Sequence, residues 1–185
     1  MKRLFIAIKL IPDDNLLKIY HSLKQALRYD KIRWVNPENF HLTIKFLGKT
    51  SEDKIDVISY IINETLSSYS SIDIEVNKIG IFGSSYKPRV IWFGIKDHKQ
   101  LKSLAVELIN NLNAAGFPKD RQNFVPHFTI GRITKVTDKK AFNNTIAGIK
   151  DEFIQYAMVN TIILYESILS PKGPQYKEIN SFSLK

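Results

Sequence analysis

The chain has 185 residues and a formal net charge of +9, with 44% hydrophobic and 24% charged residues. That balance supports a normal apolar core and argues against wholesale disorder. The chain contains no cysteine, which excludes disulfides, thiolate zinc sites and a thiol nucleophile. The positive charge favours polyanionic partners such as RNA or DNA, and the lysines are spread along the chain rather than gathered in a basic tail.

In chain order, residues 3–10 read as a buried strand. Lys9 interrupts the opening apolar run, so a strand fits better than a signal peptide. Pro12, Asp13 and Asp14 start a helix whose apolar stripe is Leu16, Leu17, Tyr20, Leu23 and Leu27. A short strand covers residues 32–35, and another covers residues 39–46 and closes at Gly48. Ser51 opens a second helix with Ile55, Ile58, Ile62 and Leu66 on one face. Residues 72–81 suggest a strand whose phase shifts after Val76, and residues 89–95 a further strand after a Gly83-Ser84-Ser85 turn. Residues 98–114 form a third helix that stops near Gly116. A strand at 127–133, a weak helix through Ile146 and closing strands at 153–156, 159–169 and 176–182 complete the pattern, with a turn at residues 171–174. No apolar stretch approaches the roughly 18 residues a membrane helix needs, and a cytoplasmic location is the default expectation. The reading is α+β with largely antiparallel sheet and no linker dividing the chain.

One pattern occurs twice: His41-Leu42-Thr43-Ile44 and His127-Phe128-Thr129-Ile130. With strand periodicity, each copy puts an imidazole and a hydroxyl on one face and two apolar side chains on the other. The copies account for two of the four histidines. His21 and His98 lack the following Thr and read as surface residues. Paired imidazoles can serve as base and acid near neutral pH. A two-lobed arrangement with a cleft between sheets would bring the two His-Thr faces together.

With these residues in view, the chain resembles the 2H phosphoesterase superfamily, specifically the RNA 2′,3′-cyclic phosphodiesterases, also known as LigT-like or 2′-5′ RNA ligase-like proteins. Phe40-His41-Leu42-Thr43-Ile44-Lys45-Phe46-Leu47-Gly48 looks like the family's first motif, and Pro126-His127-Phe128-Thr129-Ile130-Gly131-Arg132 like its second. The opening strand, the Arg89-Val90-Ile91-Trp92-Phe93-Gly94 segment and Gly173-Pro174 followed by Tyr176 are also family-like. The resemblance spans essentially the whole chain, residues 1–185. It implies one domain of two intertwined, pseudo-twofold-related lobes, with antiparallel sheets flanked by helices and the active-site cleft between them. It further implies RNA with 2′,3′-cyclic phosphate ends as substrate, no cofactor or metal, and catalysis by the two histidines. A monomer is expected.

Opening a cyclic phosphate needs a base for the attacking water, an acid for the departing ribose oxygen and donors to the non-bridging oxygens. His41 and His127 fit the first two tasks, and Thr43 and Thr129 the third. The residues leave open which imidazole gives the proton. The resemblance assigns His41 as donor and His127 as acceptor, with a 2′-phosphate as product. Strict alternation puts Arg132 on the Phe128 face. A bend at Gly131 would bring its guanidinium to the phosphate, and a surface role is the alternative. Phe46 and Tyr176 are candidates to stack on a base, against ordinary packing. Lys45 shares the His41 face by alternation and reads as a solvated lysine. Trp34 and Trp92 read as core.

Other functions stay open at this level. They are 2′-5′ ligation as the reverse reaction, a phosphodiesterase for small cyclic or 2′-5′-linked nucleotides, and a noncatalytic RNA-binding module. A two-histidine zinc site would need a third ligand, and neither motif carries a carboxylate at strand spacing.

Overall fold

Strand β1 (Lys2–Lys9) leads into helix α1 (Asp14–Ala26), whose Asp13 carboxylate accepts the Leu16 N–H at 2.8 Å and caps the first turn. The computed structural model describes residues 1–96, 99–118, 124–149, 152–171 and 173–185, so the expectation for His98 lies outside the described residues, as does Lys172 of the 171–174 turn. Next come β2 (Lys31–Trp34), β3 (His41–Thr50), α2 (Ile55–Leu66), β4 (Ile72–Gly83), β5 (Pro88–Lys96) and α3 (Lys99–Ala114). The chain continues with β6 (His127–Lys135), α4 (Lys139–Gly148), β7 (Gln155–Val159), β8 (Thr161–Ser170) and β9 (Gly173–Ser183). No helix among the described residues is long and apolar enough to cross a membrane.

Every strand pairing is antiparallel. One sheet has the order β3-β1-β8-β9 and the other β2-β6-β5-β4-β7. With β2 set aside, both read motif strand, partner, then two more strands, which is the expected pseudo-twofold relation. The phase shift after Val76 is a bulge at Asn77, because Val76 pairs with Ile95 and Lys78 with Gly94. Several boundaries differ from expectation, among them the last strand, which starts at Gly173 and so takes in Gly173 and Pro174 of the expected turn, and β4, which runs on to Gly83. β3 runs through Gly48, which adopts a φ of +72°, and continues to Thr50. The strand expected at 153–156 lies at Gln155–Val159, and Asn160 passes the chain to the other sheet.

The main apolar cluster draws on both sheets and on α1 to α4, from Leu4 and Ile6 through Leu42, Ile91, Phe93, Leu108 and Phe128. A smaller cluster of Phe5, Ala7, Ile163 and Tyr165 lies on the other face of the first sheet. Near β1 the side chains on both faces of that sheet are therefore buried. This explains why β1 reads as a continuous apolar run rather than an alternating one. Buried Gln155 pins the halves of the chain together. Its side-chain oxygen accepts the Asp13 N–H at 3.0 Å and its amide nitrogen donates to the Ile11 carbonyl at 3.0 Å.

Candidate active site

The two motifs form strands of the same local shape. In β3, Ile6 pairs with Lys45 and Ala7 with Thr43, so Ile44 is an extra residue. In β6, Ile91 pairs with Gly131 and Trp92 with Thr129, so Ile130 is an extra residue. Each motif thus carries a β-bulge at its fourth position, and the side-chain alternation resets there. The reset decides two expectations. Arg132 leaves the Phe128 face and joins the face of His127 and Thr129. Lys45 leaves the His41 face for the interior and is only 1% exposed, so the solvated reading is corrected. Its Nζ donates to the Pro118 carbonyl at 2.7 Å, which ties β3 to the segment leading toward β6. Phe46 takes the place on the His41 face that Arg132 takes on the His127 face, and it is 57% exposed.

Register extends each face across its sheet, because directly opposed residues in antiparallel strands point the same way. In the first sheet Lys9 opposes His41, Ala7 opposes Thr43 and Phe5 opposes Phe46. Phe5 and Tyr176 enclose the His41 ring, at centroid distances of 5.2 and 5.0 Å. In the second sheet Gly94 and Lys78 line up with His127, and Trp92 and Gly80 with Thr129. Phe82 meets the His127 ring edge-on at 4.7 Å and Trp92 lies 6.2 Å away. Trp92 is therefore on the site face, correcting its reading as core. Trp34 sits against Tyr20 at 5.6 Å and packs on the main core, as expected.

The histidines are anchored identically. Nδ1 of His41 lies 2.7 Å from the Asn39 carbonyl oxygen, and Nδ1 of His127 lies 2.7 Å from that of Val125. A carbonyl can only accept, so each Nδ1 carries the hydrogen and each neutral ring keeps its lone pair on Nε2. Burial lowers the pKa of both histidines below the usual value, against the raising effect of those carbonyls. The charge of Arg132 lowers both further, and that of His127 bears on His41. Burial raises the Tyr176 pKa, while Arg132 and Arg3 pull it down. The charge of Arg132 in the second sheet thus bears on His41 and Tyr176 of the first. Among the described residues, no group of three or more His, Cys, Asp or Glu is placed to hold a metal.

Phe5, Phe82 and Trp92 carry no site signal in the sequence. Their signal is register, since each becomes a site neighbour only once its strand is paired.

The LigT-like phosphoesterase family matches this chain over residues 8–92. The RNA 2′,3′-cyclic phosphodiesterase of Methanocaldococcus jannaschii is 36% identical over 180 residues, covering 97% of this chain and 99% of that protein. The protein of the same description from Archaeoglobus fulgidus is 32% identical over 181 residues, again covering 97% and 99%. The chain belongs to the LigT-like phosphoesterase family of the 2H superfamily. Its fold matches the crystal structure of the TT0787 protein of Thermus thermophilus with a TM-score of 0.80 at 23% identity, covering 98% of this chain and 97% of that one. It also matches Escherichia coli LigT complexed with 3′-AMP, with a TM-score of 0.78 at 22% identity, covering 100% and 98%.

Proposed function

We propose that this chain hydrolyses terminal 2′,3′-cyclic phosphates on RNA to 2′-phosphomonoesters. The relatives described as RNA 2′,3′-cyclic phosphodiesterases cover nearly the whole chain and support that substrate. The observation that carries the reading is the matched pair of imidazoles, each held through Nδ1 by a backbone carbonyl and each keeping Nε2 for proton transfer.

In the proposed reaction the phosphate lies between the two sheets. His127 takes a proton from a water whose oxygen bonds to phosphorus. The bond from phosphorus to the 3′ oxygen breaks on the opposite side, and His41 gives that oxygen its proton. One water is consumed, and the product carries a 3′-hydroxyl and a 2′-phosphate. The pair is left with its proton on His127, and exchange with solvent resets it. Thr43 and Thr129 donate hydroxyl hydrogen bonds to the non-bridging oxygens, and Arg132 adds a fixed positive charge beside them. Phe46 and Tyr176 offer aromatic surface to the RNA end.

The test is turnover of a short RNA ending in a 2′,3′-cyclic phosphate by EDTA-treated protein. Wild type is expected to yield the 2′-phosphate. His41→Ala and His127→Ala are each expected to lose about 10²- to 10⁴-fold in rate while keeping RNA affinity. RNA binding without turnover by wild type, or activity surviving both substitutions, overturns the proposal.

A further inference from the structure

We propose that the cavity on the open edge of β4 seats the nucleobase of the nucleotide whose ribose carries the reacting phosphate. This inference rests on the function proposed above. β7 pairs with β4 only from Ile72 to Val76. Past that point, alternate backbone N–H and C=O groups of residues 78–81 face away from β5, with no strand beside them among the described residues. They open on a cavity of about 450 Å³ whose other wall is the α4 face bearing Asn143 and Ala147. That volume is in the range of small-molecule sites.

Trp92 joins the cavity to the candidate active site. Its indole lines the cavity and also lies 6.2 Å from the His127 ring. The indole fits because Gly80 has no side chain, since a Cβ there would come within 2.7 Å of Cε2, the carbon bonded to Nε1. That Nε1 is buried and has no hydrogen-bond partner among the described residues. Full burial keeps that donor out of reach of a ligand in the cavity, so the indole offers its ring surface and edge. Asn143 adds a donor and an acceptor, and the remaining lining is largely apolar. This mixture recognises a flat, uncharged, hydrogen-bonding ring. The reach is right as well. The cavity is two strands from His127, and at the usual strand spacing that is about 10 Å, within the span of one nucleotide.

The experiment compares wild type, Ala147→Trp and Asn143→Ala on two short RNAs that share a terminal 2′,3′-cyclic phosphate. One carries a terminal base and the other is abasic there. Ala147 is an exposed helix position, so the tryptophan obstructs the cavity without entering the core. Wild type is expected to favour the base-bearing RNA by about tenfold or more in kcat/KM, as loss of one base-stacking contact implies. Ala147→Trp should erase that preference while leaving the abasic rate unchanged, and Asn143→Ala should reduce it. Equal rates on both RNAs with wild type, or a preference that survives Ala147→Trp, overturns the assignment. In parallel, adenosine and cytidine are titrated against indole fluorescence, with Trp92→Phe identifying the responding ring. If wild type turns over neither RNA, the proposed activity fails and this titration decides the cavity alone. Quenching that is lost in Trp92→Phe upholds the assignment, and no quenching, or quenching that survives Trp92→Phe, overturns it.

Discussion

His41 and His127 are kept neutral in the resting chain by burial first, with the charge of Arg132 adding to it. His41 also feels the charge of His127, which lowers its pKa further. For His41 to act as donor, the bound phosphate anion must draw a proton to it. A substrate with sulfur in place of the departing 3′ oxygen tests this, because a thiolate leaves without protonation. His41→Ala should regain most of its lost rate on that substrate, while His127→Ala should not. The opposite pattern reverses the two roles. Arg132→Gln is the companion test. Removing that charge lets both histidine pKa values rise, so proton NMR should find both imidazoles titrating at higher pH. The sign for stability follows. A depressed folded pKa means the unfolded chain binds more protons below about 6.5, so stability falls as pH drops from there through the folded values. Arg132→Gln should soften that acid loss. Its kcat/KM should fall by roughly 10- to 150-fold, the equivalent of losing a charged hydrogen bond of about 1.5–3 kcal/mol.

At the scale of the element, the repeated bulge organises the site. It lets Arg132 and Phe46 stand beside their histidines and sends Lys45 inward. Lys45→Met removes the charged hydrogen bond from the buried Nζ to the Pro118 carbonyl. About 1–3 kcal/mol of stability should be lost in denaturant unfolding, and no loss would mean that this tie does not hold β3 to the 118 segment. The bulge also marks the limit of what the sequence discloses. His41, Thr43, His127 and Thr129 were legible because each His-x-Thr lies wholly before the bulge, where strict alternation holds. Arg132 and Lys45 lie just after it, where alternation gives the wrong face. The helices were legible from their apolar stripes, as with Leu16, Tyr20 and Leu23 of α1. Trp92 was not, because an aromatic in an apolar strand looks the same whether it faces the core or the cleft. Only its opposition to Thr129 and Gly80 distinguishes the two.

Over the whole molecule, charge and topology act together. The net charge of +9 gives a field attractive to any polyanion. The pairing of the strands brings part of that charge to the site, with Lys9 opposite His41 and Arg33 opposite Arg132. A cyclic mononucleotide fits the two histidines as well as an RNA end does, so the chemistry alone does not separate the two substrates. The upstream phosphates of an RNA do, because each one neutralised releases counterions. For a single strand that adds about −0.7 to the slope of log affinity against log salt. With two or three upstream phosphates engaged, kcat/KM for a short RNA below saturation should fall with a slope of about −1.4 to −2 beyond that of the cyclic mononucleotide. Measuring both substrates from low to moderate salt gives the difference directly. A steeper slope for RNA means the basic surface flanking the cleft tracks the strand. Equal slopes would make the small nucleotide the better description of the substrate, with the positive charge serving no role in recognition.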